Sequence, residues 1–383
     1  MAIYSNKVFQ AVLVFLSISF ASVGQQKAET TPTDYAGYWQ IPGKPSFIKV
    51  GGYVKLDMIH DFNPIGSPYY FDVSTIPTNG TKGETTTMHA KETRLYIDSR
   101  TTTDIGEMKV YVEGDFYGTS GALRMRHAYV EINKRWLAGQ YWSNFMDETI
   151  IPKTLDFEKP AAYAFARNAM IRRRFFFSED SYLTLSFEEP KLLGQAPTAP
   201  GKFESPLPDF TMQYRLSKKW GHLQVSGFVA DARYRFDSSG VKDIPLYGVN
   251  VSGKWNVYKK DYLIYQVLAG AGTARYRGGQ SVALNMKGDI VPLNDLALTL
   301  GFHHQWSPKL TSLLVYNHGI VDNTMGQPLS SVKTANYLAG NLIWKMVENG
   351  FVGIEYLRGE RIDYDDDQGV ANRIQLSVKY QFN

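Results

Sequence analysis

The chain has 383 residues, of which 44% are hydrophobic and 14% aromatic, with 33 glycines and no cysteine. The absence of cysteine excludes disulfide frameworks and thiolate metal sites, and a formal net charge of +4 is too small and too dispersed to indicate nucleic-acid binding. An aromatic-rich, glycine-rich composition favours β-structure over helix.

The first 24 residues have the pattern of a secretory signal peptide. A polar start that ends at Lys7 precedes the mostly apolar stretch 8–23, and small residues lie at the expected cleavage site. A membrane-anchor helix is the alternative, but this stretch is shorter than the ~20 apolar residues that span a bilayer. We predict a signal peptide over residues 1–24, a short N-terminal segment over 25–46 and one large domain over 47–383.

Alternation of apolar and polar residues then continues to the end of the chain. Near the C-terminus Ile374, Leu376 and Val378 share one parity, while charged and amide side chains occupy the other. A helix would scatter these charges around its circumference, whereas a strand separates the two classes onto opposite faces. The sequence predicts sixteen strands, which begin near Phe47, His89, Ile105, Leu123, Trp136, Asn168, Ser181, Asp209, Gly221, Ile244, Tyr262, Asp295, Lys309, Lys333, Phe351 and Ala371. The stretch 281–292 is either a further strand or part of a loop.

The connections between the predicted strands alternate in length. Seven short turns follow the even-numbered strands, for example 100–104 and 133–135. Longer connections, such as 62–88, 143–167 and 189–208, follow most of the odd-numbered strands. Short periplasmic turns and long extracellular loops are typical of transmembrane β-barrels in the bacterial outer membrane. An even strand number would place both chain ends on the periplasmic side.

A closed barrel is the fold class that this pattern predicts. In hydrocarbon every backbone N–H and C=O must pair within the protein, and a sheet achieves this by closing on itself. A soluble β-sandwich also alternates, but it would not show loops of unequal length at its two ends. We therefore predict an all-β, 16-stranded antiparallel transmembrane β-barrel in the bacterial outer membrane, in contact with the lipid bilayer and lipopolysaccharide. At this strand number the polar face would surround a water-filled lumen.

Basic residues are frequent on the predicted lumen face. Arg172 and Arg174 share the polar parity of one strand, and an arginine at the bilayer midplane would cost roughly 2–4 kcal/mol. Arg173 breaks the alternation and is assigned to an interface, a subunit contact or a lipid headgroup. The residues predicted to line the pore are Lys55, Arg94, Tyr96, Arg100, Lys109, His127, Arg167, Arg172, Arg174 and Arg215. A basic ladder would concentrate anions; the alternative is that these side chains only pair with acids across the wall.

The third long loop, 143–167, is the candidate constriction, because the third loop of sixteen-stranded barrels commonly folds inward. Acidic loop residues that face basic wall residues would create a transverse field. An ordinary surface loop is the alternative. The charged residues predicted to act there are Asp147, Glu148, Lys153, Asp156 and Glu158.

Catalytic and metal sites are not predicted. The sequence contains neither a Gly-x-Ser-x-Gly nor a His-Glu-x-x-His pattern. The neighbours His303 and His304 would point to opposite faces of a strand, and the acidic stretch 365–367 is more typical of a solvated loop than of a cation site. We expect no cofactor, no metal and no enzymatic activity.

Several motifs resemble the DcaP-like porins. Residues 49–57, 113–116 and 123–129 are similar to early strands of that family, and the stretch 137–147 is the most specific. The resemblance is good over 41–174 and architectural beyond. It implies a homotrimeric outer-membrane porin that favours anionic solutes such as dicarboxylates. Two departures are the absence of coiled-coil heptads before the barrel and a chain that ends on Asn383 rather than on an aromatic residue.

Passive diffusion of small polar solutes, anionic ones according to the resemblance, is therefore the predicted function. An energised receptor would need a plug domain before its barrel, for which residues 25–43 are too few. Two other classes stay open on the sequence. One is a barrel enzyme, and the other is an adhesin or structural barrel with an occluded lumen.

Overall fold

The computed structural model describes residues 35, 37–192, 194–195, 200–237 and 240–382. The predicted signal peptide, much of the predicted segment 25–46 and the terminal Asn383 lie outside the described residues. The leader and the role of the last residue therefore stay predictions.

Sixteen antiparallel strands form one closed sheet in the described part of the chain. The last strand pairs with the first, where Asp57 lies opposite Ser377 and Lys55 lies opposite Lys379. Closure removes the sheet edges, so the backbone groups pair within the protein. The predicted 16-stranded antiparallel β-barrel is confirmed. The strands are β1 (Ser46–Asp61), β2 (Thr85–His89 and Arg94–Thr103), β3 (Gly106–Asp115), β4 (Arg124–Ile132), β5 (Trp136–Trp142), β6 (Arg167–Phe176), β7 (Ser181–Glu188), β8 (Asp209–Lys218), β9 (Gly221–Phe236), β10 (Gly240–Tyr258), β11 (Asp261–Ala271), β12 (Asn294–Ser307), β13 (Leu310–Val321), β14 (Val332–Val347), β15 (Gly350–Asp363) and β16 (Gln368–Phe382).

A few short elements accompany the barrel. Trp39–Gln40 pairs with the start of β1, and Gly201–Glu204 extends the sheet beside β9. The stretch 281–292, left open between strand and loop, holds a small separate hairpin of Val282–Leu284 and Ile290–Pro292. Short 3-10 helices are Val73–Thr75, Thr119–Gly121, Glu148–Ile150 and Thr273–Tyr276. No helix among the described residues is long and apolar enough to cross a membrane.

The two ends of the barrel differ in the length of their connections. At the turn end, seven connections run from two residues, as at 104–105, to four, as at 177–180. At the loop end, residues 143–166, 189–208 and 272–293 form long connections. The connections after β9 and β15 are short because those strands themselves extend further at the loop end. The strand order therefore matches the predicted alternation of short turns and long loops.

Apolar side chains cover the outside of the wall and polar side chains face inward. On β16, Leu376 and Val378 are 37% and 46% exposed, whereas Gln375 and Ser377 on the other parity are 1% exposed. The outward side chains have the apolar character that hydrocarbon requires. The inward side chains are buried because something else fills that part of the barrel.

Loops fill the interior beside β8–β16 and β1, which we name the packed half. Phe145 and Tyr163 of the third loop pack there against inward side chains such as Phe228. Phe71 of the first loop packs against Tyr337 in a second apolar cluster. Inward polar side chains of the packed half that are 0% exposed include Thr211, Gln224, Asn250, Ser252, Gln266, Thr299, Asn317 and Arg373.

The remaining wall, β2–β7, which we name the open half, keeps several of its inward charged side chains in contact with solvent, although others, such as Arg172 at 6% exposure, are buried. The side chains of Arg94, Arg100 and Lys109 are 24%, 26% and 21% exposed. These charged groups are those that the alternation predicts for a lumen. The polar lumen is therefore confined to one side of the barrel.

Candidate functional site

The third loop, residues 143–166, runs inside the barrel and begins at a buried carboxylate. Asp147 is 0% exposed and accepts hydrogen bonds from His222 Nε2 at 2.7 Å, Arg215 Nη1 at 3.2 Å and Thr149 N at 3.0 Å. Burial alone would raise the pKa of Asp147, but the hydrogen bond and charge of His222, with the charge of Arg215, hold it below its usual value. Asp147 thus anchors the loop to β8 and β9.

Backbone carbonyls of the loop add to this anchor. Phe145 O accepts hydrogen bonds from Ser226 Oγ at 2.6 Å and from Asn250 Nδ2 at 2.9 Å. Met146 O accepts from Gln224 Nε2 at 2.9 Å. The small and amide side chains of the packed half are therefore the hydrogen-bond partners that a buried loop backbone needs.

A second carboxylate holds the far part of the loop on the opposite wall. Glu355, 1% exposed, accepts the N–H groups of Leu155 and Asp156 at 2.9 Å each and the Asn341 amide at 2.8 Å. Asp156 accepts a hydrogen bond from Arg373 Nη1 at 2.9 Å. The loop thus bridges β9 and β15 across the interior, and Asp156 is buried rather than directed at solvent.

Two residues predicted to line the pore also anchor the third loop. Lys55 is 2% exposed, and its Nζ donates to Leu155 O at 2.5 Å and to Glu92 at 2.5 Å. Arg215 bonds to Asp147, as described above. Strand parity correctly directs both side chains inward. The loop covers Lys55, which parity cannot reveal, whereas the side chain of Arg215 stays 12% exposed and lines a small cavity beside Glu148.

The other charged residues of the loop have different surroundings. Glu148 accepts a hydrogen bond from Tyr141 OH at 2.7 Å. Burial, with the nearby charge of Lys254, lowers the pKa of Lys153. Burial raises the pKa of Glu158, which disfavours its negative charge. Glu148 is thus the loop acid that stays beside the open half.

Most cations of the open half have carboxylate partners. Arg94 lies 3.8 Å from Glu113, Arg100 lies 3.3 Å from Asp98, and Lys109 lies 3.6 Å from the same Asp98. The alternative drawn from the sequence, pairing across the wall, therefore describes these three residues. Their positive charges are largely balanced where they stand.

Three arginines on β6 lack such partners. Among the described residues, no carboxylate oxygen lies within 4.0 Å of the guanidinium of Arg167, Arg172 or Arg174. Aromatic and carbonyl groups hold them instead. Arg167 lies over Trp142 at 4.9 Å, Arg172 donates to Trp142 O, and Arg174 lies over Tyr182 at 4.6 Å. This strip is a local excess of positive charge on the wall.

The loop acid and the wall arginines meet at one narrow place. Glu148, Arg172 and Arg174 line the same cavity of about 30 Å³. A carboxylate on the loop and guanidinium groups on the wall have opposite charges across that gap. Opposite charges on the two sides of the gap would produce an electric field across it, transverse to the barrel axis.

A band of four tyrosines crosses the open half, one from each of β2 to β5. Ring centroids are 5.6 Å apart for Tyr96 and Tyr111, 5.5 Å for Tyr111 and Tyr129, and 4.9 Å for Tyr129 and Tyr141. Gly139, at φ +129°, leaves space for Tyr129, because a Cβ there would lie 3.0 Å from the Tyr129 Cβ. Of these four tyrosines, only Tyr96 is among the residues predicted to line the pore. Tyr111 could also have been predicted, because it shares the inward parity of Lys109 on β3.

The predicted His127 lies next to this band, and its neighbour Arg126 was missed. His127 is 5.1 Å from Tyr141 between ring centroids. Arg126 also points inward and binds Glu113 at 2.7 Å and Asp115 at 2.8 Å. Strict alternation forbids two adjacent inward side chains, but a register shift beside Glu113 allows it. A bulge of this kind leaves no clear signal in the sequence.

The residues considered for metal binding lie apart. His303 stacks on Tyr262 with ring centroids 4.5 Å apart, whereas His304 bonds to Asp261 at 2.7 Å on the other face of the strand. Asp366 of the acidic loop bonds to Lys333. Among the described residues, no group of three His, Asp or Glu side chains is placed to hold a metal ion.

Several solved structures with a similar fold are outer-membrane proteins, channels and porins among them. The outer membrane channel DcaP of Acinetobacter baumannii superposes with a TM-score of 0.81 at 23% identity, over 90% of this chain and 99% of that one. The anion-selective porin from Comamonas acidovorans gives 0.59 at 9% identity, over 88% and 100%. OmpT of Vibrio cholerae in its trimer form gives 0.57 at 9% identity, over 88% and 99%. At these identities the likeness establishes the fold.

Family membership follows from the sequence itself. No curated protein sequence matches this chain. A family model described as DcaP outer membrane protein matches residues 26–382, which includes the whole barrel. This match confirms the resemblance seen in the early strands and extends it beyond residue 174. The chain belongs to the DcaP outer membrane protein family.

Proposed function

We propose that this outer-membrane porin admits small anionic solutes by passive diffusion along the open half of its barrel. The observation that carries the proposal is the strip of Arg167, Arg172 and Arg174, which no carboxylate of the described residues balances within 4.0 Å. The other basic side chains of the same wall are mostly ion-paired. An anion that follows this wall therefore meets its strongest attraction at β6.

The route along the open half follows from burial. Loop side chains occupy the packed half, where inward groups such as Asn250 and Gln266 are 0% exposed. Water reaches the side chains of Arg94, Arg100 and Lys109 on the other side. A hydrated solute needs continuous water, so its path lies between β2–β7 and the third loop.

The preference for anions follows from Coulomb attraction. Two opposite unit charges 4 Å apart attract by about 1 kcal/mol even at the dielectric constant of water. That energy corresponds to roughly a five-fold rise in local concentration for each unbalanced charge. Arg172 and Arg174 are two residues apart on one face, about 7 Å along the strand. A short dicarboxylate therefore fits this pair better than a single carboxylate does.

Selectivity in planar lipid bilayers tests this proposal. We expect the reversal potential under a salt gradient to show anion preference, and the double variant Arg172→Gln and Arg174→Gln to lose most of it. Arg235→Gln is the matched control. Arg235 lies at the loop end of β9 and is paired with Glu204, on the short strand Gly201–Glu204 beside it. A cation-selective native channel contradicts the proposal.

A homotrimer is part of the same proposal. The outward faces of β4, β5 and β6 carry the small residues Ala128, Ala138 and Ala169, which allow close approach of another surface. Arg173, which breaks the alternation, points outward over Trp136 at 4.8 Å and is only 7% exposed. An arginine is easier to accommodate in a subunit contact than against lipid tails. The remaining outer wall faces lipid and lipopolysaccharide.

The assembly state in detergent tests the contact face. We expect native mass spectrometry to show three copies for the unchanged chain and single copies for Ala138→Trp, because a bulky ring prevents close packing. Val251→Trp, on the outward face of β10, should remain trimeric. A monomeric native protein, or a trimer that tolerates Ala138→Trp, contradicts this assignment.

A further inference from the structure

A cavity of about 700 Å³ opens at the loop end, where the first loop (62–84), the third loop (143–166), the sixth loop (272–293) and the seventh loop (322–331) meet. Its volume lies within the range of sites that hold small molecules. Residues 72–74, 158–161, 277–280 and 327–332 contribute to its lining, together with Arg167 at the start of β6. The cavity therefore stands at the entrance to the open half.

Three cations line this cavity. Lys159 Nζ donates to Thr154 Oγ1 at 3.0 Å and to Asp156 O at 3.4 Å, and among the described residues it has no carboxylate within 4.0 Å. Arg167 is one of the unbalanced arginines of β6. Arg277 lies 2.9 Å from Asp295, and its side chain is 8% exposed. Two loops and one strand thus direct positive charge at the same space.

Both guanidinium groups, those of Arg167 and Arg277, have N–H donors without a hydrogen-bond acceptor in the described part of the protein. Arg167 Nη1 and Arg277 Nε are buried and make no hydrogen bond to the described protein. A buried donor without a partner is energetically unfavourable. An acceptor oxygen in the cavity would satisfy such donors.

The carboxylates that line the cavity do not cancel this charge. Asp72 is engaged by Ser74, whose N and Oγ donate to its Oδ1 at 3.0 and 2.7 Å. Glu158 accepts from the backbone N of Lys159, and burial raises its pKa. Burial also lowers the pKa of Lys159, against nearby acids such as Glu92, so a bound anion would restore the charged lysine.

We propose that Lys159, Arg167 and Arg277 form an oxyanion-binding site at the loop end, which captures a solute through its carboxylate, sulfate or phosphate oxygens before it enters the open half. The inference rests on the proposed anion pore, and it adds a defined first binding position. Fixed guanidinium groups are suited to oxyanions because their N–H donors match pairs of acceptor oxygens. Chloride is a monatomic ion, so it cannot offer a pair of acceptor oxygens to a guanidinium group.

Current block by sulfate from one side tests the site. The native channel carries chloride in a planar bilayer, and sulfate is added to either side. Because the chain has no cysteine, Asp365→Cys gives one loop-end position whose labelling by an impermeant maleimide reports orientation. We expect half-block at a several-fold lower sulfate concentration from the loop end than from the turn end. Equal block from both sides overturns the proposal.

Two variants assign the block to these residues. Among the described residues Lys159 has no carboxylate within 4.0 Å, so Lys159→Gln breaks no ion pair. Arg277→Gln removes the guanidinium that pairs with Asp295. Each should raise the loop-end half-blocking concentration roughly ten-fold, equivalent to about 1.4 kcal/mol, while Arg235→Gln should not. Anion preference should survive in Lys159→Gln, because Arg172 and Arg174 remain. If sulfate block is unchanged in a folded Lys159→Gln channel, the oxyanion-binding site is contradicted but the anion pore is not. If the native channel is cation-selective, the proposed function itself is contradicted.

Discussion

The two halves of the barrel use the same wall architecture for opposite purposes. In the packed half, inward polar groups such as Asn250 and Glu355 bond to a loop and exclude water. In the open half, inward charges such as Arg100 pair along the wall and remain wet. The difference shows that an inward position on a β-barrel strand does not by itself make a residue part of a pore. Whether a loop covers it decides its role.

Removal of the loop is the strongest way to break this distinction. Deletion of residues 149–158 from the third loop takes away the segment that follows Asp147, including Leu155 and Asp156 at the far anchor, so water should enter the packed half. We expect the largest effect of any change here, a clear rise in single-channel conductance with weaker ion preference, because a wider aqueous path screens its charges more. Single-channel recording measures both. An unchanged conductance would show that the loop does not limit the path.

Loss of the far anchor should give the next largest effect. Glu355→Ala leaves the N–H groups of Leu155 and Asp156 and the Asn341 amide without their acceptor, and each unsatisfied donor costs about 1–3 kcal/mol. Thermal unfolding in detergent should show a lower midpoint, and the open channel should become noisier. Glu360→Ala on the same strand is the control, because its partner Asn336 does not contact the loop. Equal effects of the two changes would refute the anchoring role.

The near anchor should respond to pH in one direction. Because the folded-state pKa of Asp147 lies below its usual value, its contribution is fully present above about pH 4 and is lost as pH falls through the lower folded-state value. We expect channel noise from loop motion to rise only in that acid range. Asp147→Asn should show the noise at neutral pH and lose this pH dependence. Noise that appears first at alkaline pH would contradict the sign.

The smallest expected effect lies in the open half. Tyr111→Leu keeps an apolar side chain but ends its ring contacts with Tyr96 and Tyr129, and an aromatic pair contributes about 1 kcal/mol. Unfolding should therefore shift less than for Glu355→Ala. Urea titration of the two variants in one detergent checks the order. A larger loss at Tyr111 would show that the wet wall, rather than the loop core, carries the stability.

Alternation predicted the strands well because hydrocarbon and water make opposite demands on neighbouring residues. The largest errors are at β2 and β10, where Thr85 and Gly240 precede the predicted starts His89 and Ile244 by four residues. Those extensions lie at the loop end, where the outer face need no longer be apolar. The signal weakens there for a physical reason.

The candidate site was less predictable than the wall. Parity placed Lys55 and Arg215 inward, but their hydrogen-bond partners depend on where a loop 100 and 68 residues distant in sequence comes to rest. Arg277, in the sixth loop, follows no strand period at all. Contacts made by loops depend on tertiary structure, so local sequence pattern does not contain them.

The seam between β16 and β1 has a consequence for biogenesis. Ser377 Oγ donates to Asp57 Oδ1 across 320 residues of sequence, in a pairing that joins the last strand to the first. Until that seam forms, two strands present open edges that invite aggregation. Such distant pairing is slow to find, because the entropy of a long chain must be lost before contacts compensate. We therefore expect the unfolded chain to need protection from aggregation until β16 pairs with β1, and a truncation inside β16 to be degraded rather than inserted.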